Sequence, residues 1–237
     1  MMPLGVTIVS PGYEELSAEA VKRFRAASGC EAVMVLDVPE GSGFGAKLHL
    51  DELCPARPIV FFDADWWALR TFEIEAVTVR GNGFAAVHDP ATFGPDSWPA
   101  QDCVMTGMDP MSYVNTGFFG CDLSEQRTRD VFFLARKLAA RADLIDPTDQ
   151  GYLNQALKIE RTDLRLLPTT FNFYQLSVEW GYFPMIPRGI IGLHAAGYKG
   201  ADKLGALQLQ AQVYGGDYRP MSADAMAAHH SATFDFR

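Results

Sequence analysis

Two carboxylates, two positions apart, close an apolar run: Ile59-Val60-Phe61-Phe62-Asp63-Ala64-Asp65. The apolar residues read as a buried strand, and the period-2 rule puts Asp63 and Asp65 on one face where it ends. In an α/β sheet the carboxyl ends of the strands open onto a crevice where ligands gather. Two carboxylates there repel unless a cation bridges them. Oxygen donors of this kind suit Mg²⁺ or Mn²⁺, which commonly takes further oxygens from a substrate's phosphates. The same residues also suit a turn and a helix cap after a core strand. The string by itself leaves both readings open.

Three later strings carry polar groups that could join such a site. They are Asn115-Thr116-Gly117-Phe118-Phe119, Asp149-Gln150-Gly151-Tyr152-Leu153-Asn154 and His194-Ala195-Ala196-Gly197-Tyr198-Lys199. Each has a plain structural use as well. Asn115 before Thr-Gly suits a strand bulge, and Asp149 suits the N-cap of the helix that follows. His194 ends an apolar strand, where a histidine is either a ligand or a satisfied core residue. Lys199 between Gly197 and Gly200 is either a phosphate contact or a solvated loop lysine. Lys47, after a glycine loop, could reach a phosphate but reads better as a helix-face lysine. Trp66 and Trp67 offer a stacking surface for a sugar or base, or ordinary packing. His88 and Asp89 open a loop and carry no signal of their own, and His229-His230 reads as a surface pair.

The elements that must position these groups follow from the apolar runs. Gly5–Ser10 and Ala32–Asp37 read as buried strands around a helix capped by Ser17 and stopped by Gly29. A βαβ start of this kind implies a parallel sheet covered by helices. Pro39–Gly45 reads as a loop, Ala46–Leu53 as a helix, and Pro58–Phe62 and Phe84–His88 as strands. The stretch from His88 to Pro110, rich in Pro, Gly and Asp, reads as one long loop. Tyr113–Cys121 is strand-like, Ser124–Arg141 and Gln150–Ile159 are helices, Ile190–His194 is a strand and Ala201–Val213 a last helix. The aromatics Phe171, Phe173, Tyr174, Trp180, Tyr182 and Phe183 read as core, with room for one ring at a ligand subsite.

The order and rough separations of the four strings resemble the family 8 glycosyltransferases, the glycogenin and galactosyltransferase type. The resemblance runs from the first strand to Lys199. It implies the GT-A (nucleotide-diphospho-sugar transferase) fold, a mixed, mostly parallel sheet flanked by helices, in a single domain of residues 1–237. It implies a hexosyltransferase that uses a nucleotide-sugar, commonly UDP-linked, with Mn²⁺ or Mg²⁺, and transfers the sugar with retention to a glycan or other small acceptor. By position, Asp63, Asp65 and His194 match the family's metal ligands, with Asp63 also reaching the ribose and Ala64 lying between them in the DxD. Lys199 matches the lysine on the diphosphate, with Gly197 in the same motif. Asn115 matches the asparagine beside the donor sugar, and Asp149 and Gln150 the pair near the reacting carbon. Thr7 and Val9 sit where the family receives base and ribose. The chain departs from the pattern at Gly151, in the His194-to-Lys199 spacing, and in the Gly200-Ala201 that follows.

Composition is that of one ordinary soluble globular domain. A 48% hydrophobic, 12% aromatic chain excludes disorder, and no apolar run approaches the roughly 20 residues a bilayer requires. A net charge of −9 argues against nucleic acid or an anionic membrane as partner. Met1–Ser10 lacks the features of a signal peptide, and widely spaced Cys30, Cys54, Cys103 and Cys121 read as reduced thiols, so a cytoplasmic location is expected. The rival readings are a haloacid-dehalogenase-like Mg²⁺-dependent phosphatase, with Asp63 as nucleophile and Asp65 as acid, and a non-catalytic nucleotide-sugar-binding protein. The phosphatase pattern fails at Trp66-Trp67 and at the Gly216-Asp217 to Asp224 spacing. Sugar nucleotidylyltransferases need a Gly-rich loop where Pro11-Gly12-Tyr13-Glu14 stands.

Overall fold

A computed structural model describes residues 2–39, 43–94, 96–141, 148–174, 189–196 and 202–215. The chain begins β1 (Leu4–Val9), α1 (Glu14–Ser28), β2 (Val33–Asp37), α2 (Gly43–Lys47), α3 (Leu50–Leu53), β3 (Pro58–Phe62) and β4 (Trp66–Ala68). It continues β5 (Phe84–His88), α4 (Trp98–Thr106), β6 (Val114–Asp122), α5 (Gln126–Ala139), α6 (Asp149–Ile159), β7 (Leu164–Leu167), β8 (Gly192–His194) and α7 (Asp202–Tyr214).

Six strands form one sheet in the order β2-β1-β3-β6-β5-β7. β1 runs parallel to β2 and β3, and β5 parallel to β7, while β6 runs antiparallel to both of its neighbours. The sheet is therefore mixed and mostly parallel. β3 shows why its apolar run is continuous: Val60 and Phe62 enter one core with Phe24 of α1, and Ile59 and Phe61 enter the other with Val131 of α5. Phe62 stacks on Phe24 at 4.4 Å between ring centroids, and Phe61 on Phe119 at 5.0 Å.

Reversal of β6 is what brings its first residues to the edge where β3 and β5 end. Phe62 pairs with Phe118 and His88 with Val114. The pairing with β5 jumps from Ala86↔Phe119 to Val87↔Asn115, so Thr116–Phe118 bulge away from that neighbour.

Several boundaries differ from the sequence reading. α1 starts at Glu14 rather than at a Ser17 cap; Ser17 is buried within the helix, and Glu14 and Glu15 in the first turn meet the helix dipole instead. Gly29 does end the helix, at φ 67°. The expected helix over 46–53 is split into α2 and α3. The expected long loop from His88 to Pro110 contains α4, capped by Ser97 accepting the Ala100 N–H, with Pro99 in its first turn. Its cap signals were legible, but it buries Asp102 and exposes Trp98 and Val104, which hides the helical period. β7 is a sheet-edge strand with Arg165 and Leu166 exposed, so it too lacks the buried pattern, and β2, expected to be buried, forms the other edge and leaves Val35 and Asp37 exposed. The four cysteines are free and buried. Phe171, Phe173 and Tyr174 are core; Trp180, Tyr182, Phe183, His229 and His230 lie outside the described residues.

A second, two-stranded sheet pairs β4 with β8, setting Trp66 opposite His194. Both tryptophans pack rather than present a face to ligand. Trp66 stacks on Phe118 at 4.5 Å and donates Nε1–H to the Phe171 carbonyl at 2.8 Å. Trp67 is buried beneath the Arg23 guanidinium, 4.5 Å from its ring. Anchored this way, β4 sets the register that carries His194 to the end of β3.

The His194 ring then lies directly over Gly117. A Cβ at Gly117 would stand 2.2 Å from His194 Cε1 and 2.6 Å from Nδ1. Gly117→Ala is therefore expected to displace a ring that is rigid and buried. Overpacking of this kind costs about 1–3 kcal/mol, or roughly 2–12 °C of melting temperature for a domain near this size. Thermal denaturation checks it; an unchanged midpoint would show that β6 and β8 shift apart freely.

Candidate active site

Asp63 and Asp65 follow β3 on a turn held from both sides. The Asp63 N–H donates to the Gly117 carbonyl at 2.9 Å, and the Ala195 N–H donates to the Asp65 carbonyl at 3.1 Å. His194 is fixed in turn by its N–H to the Phe173 carbonyl at 2.8 Å. Backbone bonds thus draw β3, β6 and β8 to one point.

There the three predicted metal-ligating residues meet. One donor atom from each of Asp63, Asp65 and His194 lies within 4.8 Å of the others. His194 Nε2 is 3.4 Å from Asp63 Oδ2 and 3.4 Å from Asp65 Oδ1. An ion holding ligands at about 2.1–2.2 Å sets neighbouring donors roughly 3 Å apart, so the set fits a divalent cation with little movement. Two carboxylates and one imidazole favour Mn²⁺ over Mg²⁺. Asp65 and His194 keep 7% of their side chains exposed and Asp63 26%, so the cluster opens on the Asp63 side. His194 Nδ1 is buried with no hydrogen-bond partner among the described residues. Ala64 is buried between the aspartates.

Two lysines balance this charge. Lys47 Nζ is 3.1 Å from Asp63 Oδ1 and 3.0 Å from Asp149 Oδ2, and it also donates to the Thr116 carbonyl at 3.2 Å. It is a buried charge clamp, not the helix-face lysine the sequence suggested. Lys203, from the first turn of α7, is ion-paired with Asp65 Oδ2. Nothing in the sequence marked Lys203, since a lysine in the first turn of a helix has no pattern of its own.

The titration behaviour follows from burial and these neighbours. Burial pushes the carboxyls of Asp63 and Asp65 up, but Lys47 and His194 beside Asp63, and His194 and Lys203 beside Asp65, reverse this and hold both low. Burial also raises Asp149, and the Asp63 carboxylate adds to it against the pull of Lys47, so Asp149 sits above the usual range. Burial disfavours the His194 cation, yet Asp65 and Asp63 outweigh it and push the imidazole up to about 9.

Beside the cluster, the predicted catalytic residues Asp149, Gln150 and Asn115 form one largely buried network. Asp149 opens α6, but Thr148 is its N-cap; the Asp149 carboxylate instead accepts from Thr116 Oγ1 at 3.1 Å and pairs with Lys47. Gln150 Oε1 accepts the Thr116 N–H at 3.1 Å, and its Nε2 donates to Asp89 Oδ2 at 2.8 Å. Asn115 Nδ2 donates to the same oxygen at 3.2 Å, while its Oδ1 accepts from the Gly117 N–H and from Asn172 Nδ2. Asn115 thus lies at the bulge and in the network at once. Asn154 locks α6 to β6 through both its amide atoms on Val114.

Asp89 is the centre of that network and, like Lys203, a residue that sequence reasoning missed. It is buried, and besides Gln150 and Asn115 its carboxylate takes the Tyr174 hydroxyl at 2.6 Å and the Ala91 N–H at 2.9 Å. The signal was present: Phe84-Ala85-Ala86-Val87-His88-Asp89 repeats the form of the third strand, an apolar run followed by an aspartate at the carboxyl edge.

Thr7 and Val9 lie on β1, on the face opposite Leu4, Val6 and Ile8. Both are buried, and Thr7 Oγ1 has no hydrogen-bond partner among the described residues. Gly197 and Lys199 lie outside the described residues, as do Gly216, Asp217 and Asp224.

No family model matches the chain, and no curated protein matches it in sequence. Solved structures do match. The galactosyltransferase LgtC in complex with donor and acceptor sugar analogs superposes with a TM-score of 0.65 at 15% identity, covering 94% of this chain and 99% of that one. The apo glycosyltransferase GlyE of Streptococcus pneumoniae TIGR4 gives 0.61 at 13% identity, over 98% of this chain and 64% of that one. Mouse xyloside xylosyltransferase 1 in its apo form gives 0.55 at 9% identity, over 82% and 98%. The fold these likenesses share with the chain is the GT-A fold, the one implied by the resemblance to family 8 glycosyltransferases.

Proposed function

We propose that the chain is a metal-dependent glycosyltransferase that uses a nucleotide-sugar, a UDP-sugar in particular, and transfers a hexosyl group with retention. The observation that carries this reading is the convergence of the Asp63, Asp65 and His194 donors beside the buried Asp149–Gln150–Asn115–Asp89 network, at the carboxyl edge of a GT-A sheet. In this reading Asp63, Asp65 and His194 hold Mn²⁺ or Mg²⁺. A divalent ion there supplies a Lewis acid against the charge that develops on a diphosphate leaving group.

The chain's own residues would do the rest. Asn115, Gln150 and Asp89 present fixed amide and carboxylate groups of the kind that hold sugar hydroxyls in one orientation. Asp149, beside them, is assigned with Gln150 to the reacting carbon. Lys47 keeps Asp149 and Asp63 from repelling each other. Thr7 and Val9 are assigned to the base and ribose, and Lys199 with Gly197 to the diphosphate. The phosphatase reading needs Asp63 free to attack, whereas its carboxylate is engaged by Lys47 and faces His194.

Melting temperatures with UDP, GDP, CMP or ADP, each with Mn²⁺ or EDTA, test the donor site. A ligand at about 100 times its dissociation constant stabilises by about 2.7 kcal/mol, and each kcal/mol moves the midpoint by roughly 2–4 °C. UDP with Mn²⁺ is expected to raise the midpoint by roughly 5–10 °C, and EDTA or Asp65→Ala to abolish the rise. No shift with any nucleotide would overturn the reading. Transfer from UDP-sugars to candidate acceptors then separates an enzyme from a binding protein.

Lys47 gives a second expectation. Lys47→Met strands Asp63 and Asp149 without their counter-ion, and breaking a buried pair from one side costs about 3–5 kcal/mol. Adding Asp149→Asn removes one stranded charge and is expected to restore part of that loss. Urea denaturation of the four forms of the cycle measures it; purely additive losses would show that the two residues do not interact.

A further inference from the structure

Asp65 has two claimants. Its Oδ1 faces His194 Nε2 at 3.4 Å, and its Oδ2 is ion-paired with Lys203 Nζ. Lys203 is only 17% exposed at its side chain and Asp65 7%, so the pair is largely withdrawn from water. The ring of Tyr13 lies 5.5 Å from the same ammonium. A divalent ion held by Asp63, Asp65 and His194 must therefore settle within a few ångströms of a buried ammonium that already neutralises one of its ligands.

The two lysines differ in what they can lose. Lys47 is shared between Asp63 and Asp149, so it keeps a carboxylate when Asp63 turns to a metal. Among the described residues, Asp65 is the carboxylate that Lys203 contacts. If a cation takes Asp65, the Lys203 ammonium is left desolvated beside a second positive charge, which is strongly unfavourable unless a new anion arrives. An anionic group bound against the metal would be that anion.

We propose that Lys203 is an internal counter-ion that excludes a divalent cation from Asp65 until a nucleoside diphosphate donor binds, and that its ammonium then passes from Asp65 to the diphosphate. The proposal rests on the nucleotide-sugar reading of the site. It makes metal and donor binding mutually dependent, each raising the affinity of the other by the same factor. The metal alone binds weakly, because the competent form with Lys203 off Asp65 is a minor one.

Mn²⁺ binding followed by electron paramagnetic resonance of the free ion tests this directly, without reference to turnover. The wild type, Lys203→Met, Lys203→Gln and Lys203→Arg are titrated with and without UDP. Without UDP, the Met and Gln variants are expected to bind Mn²⁺ about tenfold or more tightly than wild type, as when the competent fraction rises from about a tenth to one. The Arg variant, which keeps the charge, is expected to stay weak. UDP is expected to tighten Mn²⁺ strongly in wild type and much less in the neutral variants. Equal Mn²⁺ affinity of wild type and both neutral variants without UDP, with UDP tightening all of them alike, would overturn the role of Lys203 and leave the donor site standing. No Mn²⁺ bound by any form, with or without UDP, would overturn both. Circular dichroism of each variant excludes misfolding as the cause.

Discussion

Charge balance at one edge of the sheet is the constraint on which the site depends. The turn after β3 carries Asp63 and Asp65 against Asp149 at the start of α6, and carboxylates so close would drive those elements apart in a water-poor setting. Lys47 prevents this for two of them, with its ammonium 3.1 Å from Asp63 and 3.0 Å from Asp149. Lys203 and the His194 ring face the third. The arrangement places three carboxylates and an imidazole in a water-poor pocket with their charge balanced from within.

Backbone geometry does the placing. The antiparallel course of β6 sets Asn115, Thr116 and Gly117 beside the end of β3, where a parallel strand would have carried them to the opposite edge. The bulge at Thr116–Phe118 frees Thr116 to bind both Asp149 and Gln150. The short β4–β8 ribbon then adds the histidine, with two buried tryptophans as its anchor. Gly117 is the point where these courses cross, since any side chain there would occupy the space of the imidazole. Acidic residues at the ends of the two strands that flank β6, Asp63 after β3 and Asp89 after β5, face the site from both sides of it.

Much of this was legible in the residues. The apolar runs of β1, β3 and β6 announced a buried sheet, whereas that of β2 belongs to an exposed edge, and Asp63, Asp65, Asn115, Asp149, Gln150 and His194 were marked by their strings. What escaped did so for physical reasons. α4 hides its period by burying Asp102 and exposing Val104. Asp89 looked like a loop opener, because a lone aspartate after a strand is identical in sequence whether it caps a turn or collects four donors. Trp66 and Trp67 offered stacking faces that packing against Phe118 and Arg23 consumes.

By itself the sequence determined where most of the strands lie, that a pair of carboxylates stands at the end of one of them, and that a histidine ends another. Those are local facts, set by apolar periodicity and by residue type. Only the tertiary structure decided that Lys47 and Lys203 are the partners of those carboxylates and that Asp89 joins Asn115 and Gln150. Such contacts link residues dozens of positions apart through strand order and register, and a charged side chain carries no sequence mark of the partner it will meet.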